Sequence, residues 1–194
     1  MNLLREYIRE LLTESTIHPR IMKMIDRLED EEDGKVKINR YQVLVKDWQN
    51  KTLAQVSFDP TDGMYGKCLG ADIVSFSEAG GGFGPLAYDI AIEATGGLAP
   101  DRTEVSDSAR AVWDYYMNNR PDVIKQQLDD TGNWLTPGNE DNCEQEIEGT
   151  GGTAVDMFPD NPRAWVKSSL SKLYKKSGTP VIDDLRKRGM LVEK

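Results

Sequence analysis

The chain has 194 residues, of which 38% are hydrophobic and 29% charged, a composition typical of a globular protein with a sizeable core. Its net charge of −9 disfavours direct binding to the phosphate backbone of a nucleic acid. One histidine and two cysteines are too few for a zinc site or a disulfide scaffold. No apolar run approaches the roughly 18 residues that cross a bilayer, so we expect a protein of a reducing compartment without a bound metal or a membrane anchor.

Residues 1–14 have the pattern of a short amphipathic helix, with an apolar stripe on one side and arginine and glutamate on the other. A first helix docked on the core, or on a second copy, would have the same pattern. This leader resembles the capsid-targeting leaders of tailed bacteriophages, which carry cargo into the assembling prohead. The stretch Leu12-Thr13-Glu14 matches the Leu/Ile-x-Glu site that prohead proteases cut. The resemblance implies a phage-encoded chain that binds phage head proteins through residues 1–14.

The next elements are a helix over residues 19–33 and an antiparallel meander over residues 35–58. Ile21, Ile25 and Leu28 recur at helical spacing, and an acidic run ends this helix in solvent. Apolar and polar residues alternate along 35–58, which is typical of half-buried strands. The single histidine, His18, precedes the helix and is interpreted as a loop residue, not as a catalytic base.

Residues 71–95 predict a strand, a glycine turn and a helix, in that order. Ile73, Val74 and Phe76 are strand formers in a short apolar run. Pro85 suits the first turn of a helix, and apolar residues follow it at helical spacing. Four glycines stand between the strand and the helix: Gly80, Gly81, Gly82 and Gly84.

The glycine turn is the best indication of function, because glycines let backbone N–H groups approach a ligand closely. Free N–H groups at a helix N-terminus favour an anion, most often phosphate. The alternative is a purely structural turn. A P-loop is excluded because Pro85-Leu86 stands where Lys-Ser/Thr is required, and a dinucleotide fingerprint is weakened because Ala87 replaces its last glycine.

Beyond the turn we expect a residual strand at 98–99 and a helix over 106–117, capped by Ser106. Residues 130–162 are rich in Gly, Asp, Asn and Pro and predict a long irregular excursion, whereas the last 30 residues return to helical patterning. The predicted fold class is α+β (α/β), a mostly antiparallel central sheet flanked by helices. We divide the chain into the leader 1–14, a core 15–125, and a C-terminal extension 126–194 of irregular structure and helices packed on the same domain.

This layout resembles the GNAT superfamily of N-acetyltransferases over about residues 20–120. In that family a Gln/Arg-x-x-Gly-x-Gly/Ala turn after the fourth strand holds the pyrophosphate of acetyl-CoA on backbone N–H groups. Gly82 and Gly84 match that turn, while Ala79 stands where Gln or Arg is usual. The resemblance implies that acetyl-CoA, or another acyl-CoA, binds the turn and the start of the helix: Ala79, Gly80, Gly81, Gly82, Phe83, Gly84 and Pro85.

The family's chemistry is direct attack of a bound amine on the thioester carbonyl. Its next helix commonly reads Asn-x-x-Ala-x-x-x-Tyr, which residues 108–115 approximate, so the resemblance makes Tyr115 the proton donor to the thiolate. Tyr116 is the alternative if the register slips by one residue, and Glu78 at the strand end is the nearest candidate base. Both tyrosines could instead be packing residues, and Glu78 a solvated strand end.

Two hypotheses therefore remain after the sequence is read. The first is an acyl-CoA-dependent N-acyltransferase acting on a small-molecule or protein amine, for which an acidic protein has complementary charge. The second is a non-catalytic phage virion-associated or internal head protein on the same scaffold, since a fold does not imply a function. Either would place the chain in the host cytoplasm, with packaging into the virion as a further option.

Overall fold

The computed structural model describes residues 17–59, 71–101, 105–128 and 164–193. The predicted leader 1–14 and the predicted excursion 130–162 lie outside these ranges. Within them the chain forms four α-helices and an eight-stranded sheet. The helices are α1 (Pro19–Asp30), α2 (Gly84–Thr95), α3 (Asp107–Asn119) and α4 (Pro180–Lys187). The strands are β1 (Lys35–Asn39), β2 (Gln42–Lys46), β3 (Thr52–Asp59), β4 (Asp72–Ala79), β5 (Leu98–Ala99), β6 (Ile124–Gln127), β7 (Lys172–Lys175) and β8 (Leu191–Glu193).

The sheet is mixed, with the strand order β6-β7-β5-β4-β3-β2-β1-β8. Strands β1 to β4 form an antiparallel meander, as the alternating pattern predicted. Strand β5 pairs parallel to β4, because α2 carries the chain back over the sheet between them, and β8 pairs parallel to β1. Antiparallel pairs join β7 to both β5 and β6. The predicted α+β class is confirmed, and the parallel β4–β5 pair is what positions the candidate site.

The C-terminal residues differ from the prediction. Helical patterning was expected across the last 30 residues, and it is confirmed only for α4 and two 3-10 turns, Ala164–Lys167 and Ser169–Ser171. Lys172–Lys175 instead forms β7, in the interior of the sheet. The reason is long-range pairing: β7 lies between β5 and β6, and its neighbours satisfy backbone groups that a helix would otherwise satisfy locally.

The main core lies between the meander and the helices α1, α2 and α4. Val43, Val45 and Val56 point from the sheet into this core, and helix α2 is buried on every side from Gly84 to Glu93. A second, smaller cluster contains Leu173, whose neighbour Tyr174 belongs to the main core. Because successive strand residues point to opposite faces, the second cluster lies on the other side of the sheet.

The connection between α1 and β1 is tightly packed at Gly34. A Cβ atom there would lie 2.3 Å from Leu28 Cδ1 and 2.6 Å from the Lys46 carbonyl oxygen. We expect Gly34→Ala to lower the free energy of unfolding by about 1–3 kcal/mol, the usual cost of overpacking, as measured by urea denaturation. Gly80→Ala is the control, because its Cβ would meet only the Leu53 carbonyl oxygen at 3.8 Å. Equal stabilities of the two variants would contradict the prediction.

Candidate functional site

A cleft opens in the sheet where β4 and β5 separate. The two parallel strands pair only at Asp72 with Leu98 and at Ile73 with Ala99, after which β5 ends and β4 continues to Ala79. Within the described sheet, this far part of β4 has a neighbour on the β3 side only. The cleft has a volume of about 210 Å³ and is lined by Val74, Ser75, Phe76, Ser77, Tyr88, Asp101, Val105, Ser106, Ala109 and Trp113.

A β-bulge lies on β4 at the edge of this cleft. Phe76 pairs with Ser57 and Val74 with Phe58, so the intervening Ser75 has no partner in β3. A bulge leaves its extra residue out of the ladder and bends the strand, and bulges are frequent next to functional sites. The side chain of Phe76 is 50% exposed. The cleft therefore combines an open strand edge with an accessible apolar surface.

The helix side of the cleft is formed by Tyr88 of α2 and Trp113 of α3. The Tyr88 ring meets Trp113 edge-on, with 4.9 Å between the centroids, and its hydroxyl donates to Ser77 Oγ at 2.9 Å. Burial raises the pKa of Tyr88 to about 12, with the Ser77 hydrogen bond acting in the opposite direction. Trp113 in turn stacks on Tyr174, with 4.9 Å between their centroids. These contacts hold the wall of the cleft in one arrangement.

The predicted glycine turn follows β4 directly and ends at α2. Gly81 and Gly82 have φ values of 61° and 82°, a left-handed conformation that favours glycine. Helix α2 has no side-chain cap, and the first N–H groups of a helix have no partner within the helix. Gly80, Gly81 and Gly82 of the turn are exposed, whereas the first residues of α2, from Gly84 onward, are buried.

A guanidinium group from another element lies at this turn. Arg27 of α1 donates from Nη2 to the carbonyl oxygen of Gly81, and its Cζ lies 4.1 Å from the centre of the Phe83 ring. The ring itself is buried, so it provides a fixed surface for the cation. The turn thus has a positive charge beside it, although Ala79 supplies none.

The two tyrosines predicted as proton donors do not line the cleft. Tyr116 is fully buried, and its hydroxyl lies 2.6 Å from Asp89 Oδ1 and 2.9 Å from the Pro85 carbonyl oxygen. Burial and the nearby Asp89 carboxylate raise the pKa of Tyr116 well above its usual value. The hydroxyl of Tyr115 lies 3.4 Å from Nδ1 of His18. Neither hydroxyl therefore lies where a thioester in the cleft would be.

Glu78 lies near the end of β4, on the opposite face from Ser77. It pairs with Gln55 across the strands, whereas Ser77 pairs with the buried Val56. Its side chain is exposed and does not line the cleft. The structure thus keeps Glu78 and the residues Ala79 to Pro85 together at one end of β4. Tyr116 contacts this set only through the buried Pro85 carbonyl oxygen, and neither Tyr115 nor Tyr116 lines the cleft.

Sequence reasoning missed Ser77, Tyr88 and Arg27. Ser77 could have been suspected from the strand pattern, as a polar residue among strand formers, and Tyr88 as the aromatic residue of the helix after the glycine turn. Arg27 gave no signal, because only the packing of α1 beside α2 brings it to the turn. His18 lies before α1 as expected, and its Nδ1 caps the helix by accepting from the N–H of Arg20.

A buried ionic network stands behind the cleft. Arg120 binds both carboxylate oxygens of Asp89, at 2.5 and 3.0 Å, and also contacts Asp122. Lys176 bridges Asp89 and Glu93, and Glu93 accepts from the first N–H groups of α4. Burial raises the pKa of Glu93 although Lys176 opposes the shift. The network joins α2 to the segments after α3 and β7, so it fixes the helix that follows the glycine turn.

No helix among the residues that the structure describes combines the length and the apolar character needed to cross a membrane. In the same ranges, His, Cys, Asp and Glu side chains form no group of three or more that could hold a metal ion. Comparison of the chain with protein-family models, with curated proteins and with solved structures finds no match.

Proposed function

We propose that the chain is an acyl-CoA-dependent N-acyltransferase-like protein, phage-encoded, that transfers an acyl group to an amine. The observation that carries the proposal is the separation of the parallel strands β4 and β5 directly before the glycine turn. An enzyme of the GNAT superfamily would need an opening of this kind between these strands. An open strand edge can pair with the amide groups of an extended ligand. The bulge at Ser75 supports the same use of the edge.

The phosphates of the acyl-CoA would lie at the residues Ala79 to Pro85. The exposed glycines of the turn would let a phosphate approach the backbone, and α2, which has no side-chain cap, directs the positive end of its dipole toward the turn. Arg27 adds a guanidinium group, which suits phosphate better than an ammonium group does because its donors form a planar fork. Arg27, on α1, would thus supply the positive charge at the turn that an arginine at position 79 would otherwise provide.

The acyl group and the amine would meet in the cleft between β4 and α3. Glu78 is the carboxylate at that end of β4. Because its exposed side chain faces away from α2 and does not line the cleft, it would accept the proton of the amine through water. A lysine or a polyamine fits the net charge of −9.

The second candidate is a non-catalytic virion-associated or internal head protein on the same scaffold. The placement of Tyr115 and Tyr116 away from the cleft favours it, because the two expected proton donors are then packing residues. On this alternative the partners are phage head proteins, bound through residues 1–14. The cleft would then be a structural feature without a ligand.

Titration calorimetry of the full chain with acetyl-CoA tests the choice, using Gly80→Asp and Gly80→Asn as a matched pair. Gly80 is exposed, has no left-handed backbone, and leaves room for a side chain. We expect micromolar binding by the native chain and about tenfold weaker binding by Gly80→Asp, because a carboxylate at the turn repels phosphate. Gly80→Asn adds the same volume without the charge and should bind within about threefold of the native chain.

Two outcomes would contradict the proposal. Absence of heat from the native chain at millimolar acetyl-CoA would favour the non-catalytic alternative. Equal affinities of the native chain and Gly80→Asp would show that the phosphates do not lie at this turn.

A further inference from the structure

We propose that the Ser77 hydroxyl, held by Tyr88, protonates the sulfur atom that leaves the thioester in the β4–β5 cleft. This assignment rests on the proposed acyltransferase function. It moves the proton donor from the tyrosines of α3 to a pair formed by β4 and α2. Ser77 would be the catalytic residue and Tyr88 a positioning residue behind it.

The hydrogen bond between the two residues leaves one hydrogen unused. The Tyr88 hydroxyl donates to Ser77 Oγ at 2.9 Å. A serine hydroxyl has one hydrogen and two lone pairs, so Ser77 keeps its own hydrogen for another acceptor. Within the described residues no acceptor takes that hydrogen. The side chains of Ser77 and Tyr88 both line the cleft, so the remaining hydrogen of Ser77 can be donated to a ligand there.

The other polar residues of the cleft are less suited to this step. Ser106 accepts from the N–H of Ala109 at 3.3 Å as the cap of α3. Asp101 carries a carboxylate, which would repel a thiolate. Ser75 is solvent-exposed in the bulge and has no second hydroxyl behind it in the described structure. Ser77 is the hydroxyl of the cleft that a buried donor orients.

The amine nitrogen forms a bond to the thioester carbonyl carbon, and the carbon–sulfur bond breaks with its electron pair moving to sulfur. Ser77 Oγ gives its proton to sulfur and takes the proton of the Tyr88 hydroxyl. The proton that the amine loses passes through water to Glu78 and from there to solvent, and solvent returns one to Tyr88. The products are an amide and a thiol.

The size of the effect follows from the acidity of the pair. Burial raises the pKa of Tyr88 to about 12, so the phenol remains protonated through neutral pH but is a weaker acid than an exposed tyrosine. General acids of ideal pKa contribute about 10²–10⁴-fold to a rate. We therefore expect a smaller contribution here, about tenfold in kcat.

The test measures thiol release from acetyl-CoA by the full chain, with hydroxylamine as the small acceptor and the uncatalysed reaction subtracted. Ser77→Ala and Tyr88→Phe should each lower kcat about tenfold, with KM and the calorimetric Kd of acetyl-CoA changed by less than about twofold. Ser77→Thr keeps the hydroxyl and should restore kcat. Ser57→Ala is the control: it removes a serine hydroxyl from the neighbouring strand β3, on the face opposite to Ser77. It should leave kcat, KM and Kd unchanged.

Three results would overturn the assignment. If Ser77→Ala keeps the kcat of the native chain and Tyr115→Phe lowers kcat, the proton donor is Tyr115 of α3 and not Ser77. A change in KM alone would make Ser77 a binding contact. Absence of both acetyl-CoA binding and thiol release in the native chain would remove the proposed function and this assignment together, whereas the first two results leave the acyltransferase function standing.

Discussion

Replacement of Arg120 by methionine is expected to lower the free energy of unfolding by about 3–5 kcal/mol, the usual cost of removing one partner from a buried ion pair. Both Arg120 and Asp89 have side chains with 0% exposure. Methionine fills much of the same volume, and within the described residues it leaves Asp89 with Lys176 and the Tyr116 hydroxyl as its side-chain partners. Burial of the guanidinium lowers its pKa, but the hydrogen bonds that Arg120 donates to Asp122 and Asp89 outweigh it and hold the pKa of Arg120 above its usual value, so the arginine is charged in the native protein.

The measurement is urea unfolding followed by tryptophan fluorescence, with Arg186→Met as the control. Arg186 pairs with Asp183 on the exposed face of α4, where the side chains are 52% and 61% exposed. Exposed pairs contribute about 0–1 kcal/mol, so the control should remain close to the native stability. A loss below about 1 kcal/mol in Arg120→Met would show that Lys176 alone can compensate the buried Asp89 carboxylate.

The parts of the fold that the sequence predicts well are those with local periodicity. Alternation over 35–58 predicts the meander, and the structure confirms β1, β2 and β3. The helix after the glycine turn and the short strand Leu98–Ala99 are confirmed as well. Strand β7 could not be predicted, because four residues carry no readable period and their conformation depends on pairing with β5, which is distant in the chain.

The site illustrates a second limit of sequence reasoning. The motif makes Tyr115 the proton donor, which requires its side chain to face the cleft if the thioester binds there, but residues of a helix differ by about 100° per position. Ala109 and Trp113, four positions apart, line the cleft. Tyr115 is two positions beyond Trp113 and therefore points toward α1, where the Arg20 guanidinium lies 4.5 Å from its ring centre. A motif fixes the spacing of residues but not the rotation of the helix, which depends on packing.

The buried network had a signal in the sequence that could have been used. Helix α2 is mostly apolar in sequence, yet it contains Asp89 and Glu93. Buried carboxylates need cations or several donors as partners, so two of them in such a helix predict partners from distant segments. The sequence does not show that the partners are Arg120 and Lys176. Arg120 follows α3 and Lys176 follows β7, and only the packing of these segments brings them to α2.

Lys172 is expected to make the stability of the protein depend on pH between about 8 and 10.5. Its side chain is buried on β7, where it donates to Gln127 Oε1, to the Val166 carbonyl oxygen and to Ser171 Oγ. None of the carboxylates in the described ranges forms an ion pair with it. Burial lowers the pKa of Lys172 from 10.5 to about 8.

The sign of the effect follows from proton binding. Between these two pKa values the unfolded chain carries the lysine proton and the native protein does not, so the free energy of unfolding rises with pH. The full shift corresponds to about 3 kcal/mol. The three acceptors stabilise the ammonium group and reduce this figure, and we expect about 1–3 kcal/mol. Below pH 8 both states bind the proton, and the contribution is constant.

Comparison of the native chain with Lys172→Met isolates this contribution from other groups that titrate in the same range. Methionine has a similar length and no charge, so the stability of the variant should lack the rise that Lys172 causes. Urea unfolding at several pH values from 7 to 11 should therefore show the native chain gaining stability relative to the variant by about 1–3 kcal/mol. A difference that stays constant over this range would mean that the three acceptors fully compensate the burial of the ammonium group, and that Lys172 remains charged in the native protein at alkaline pH.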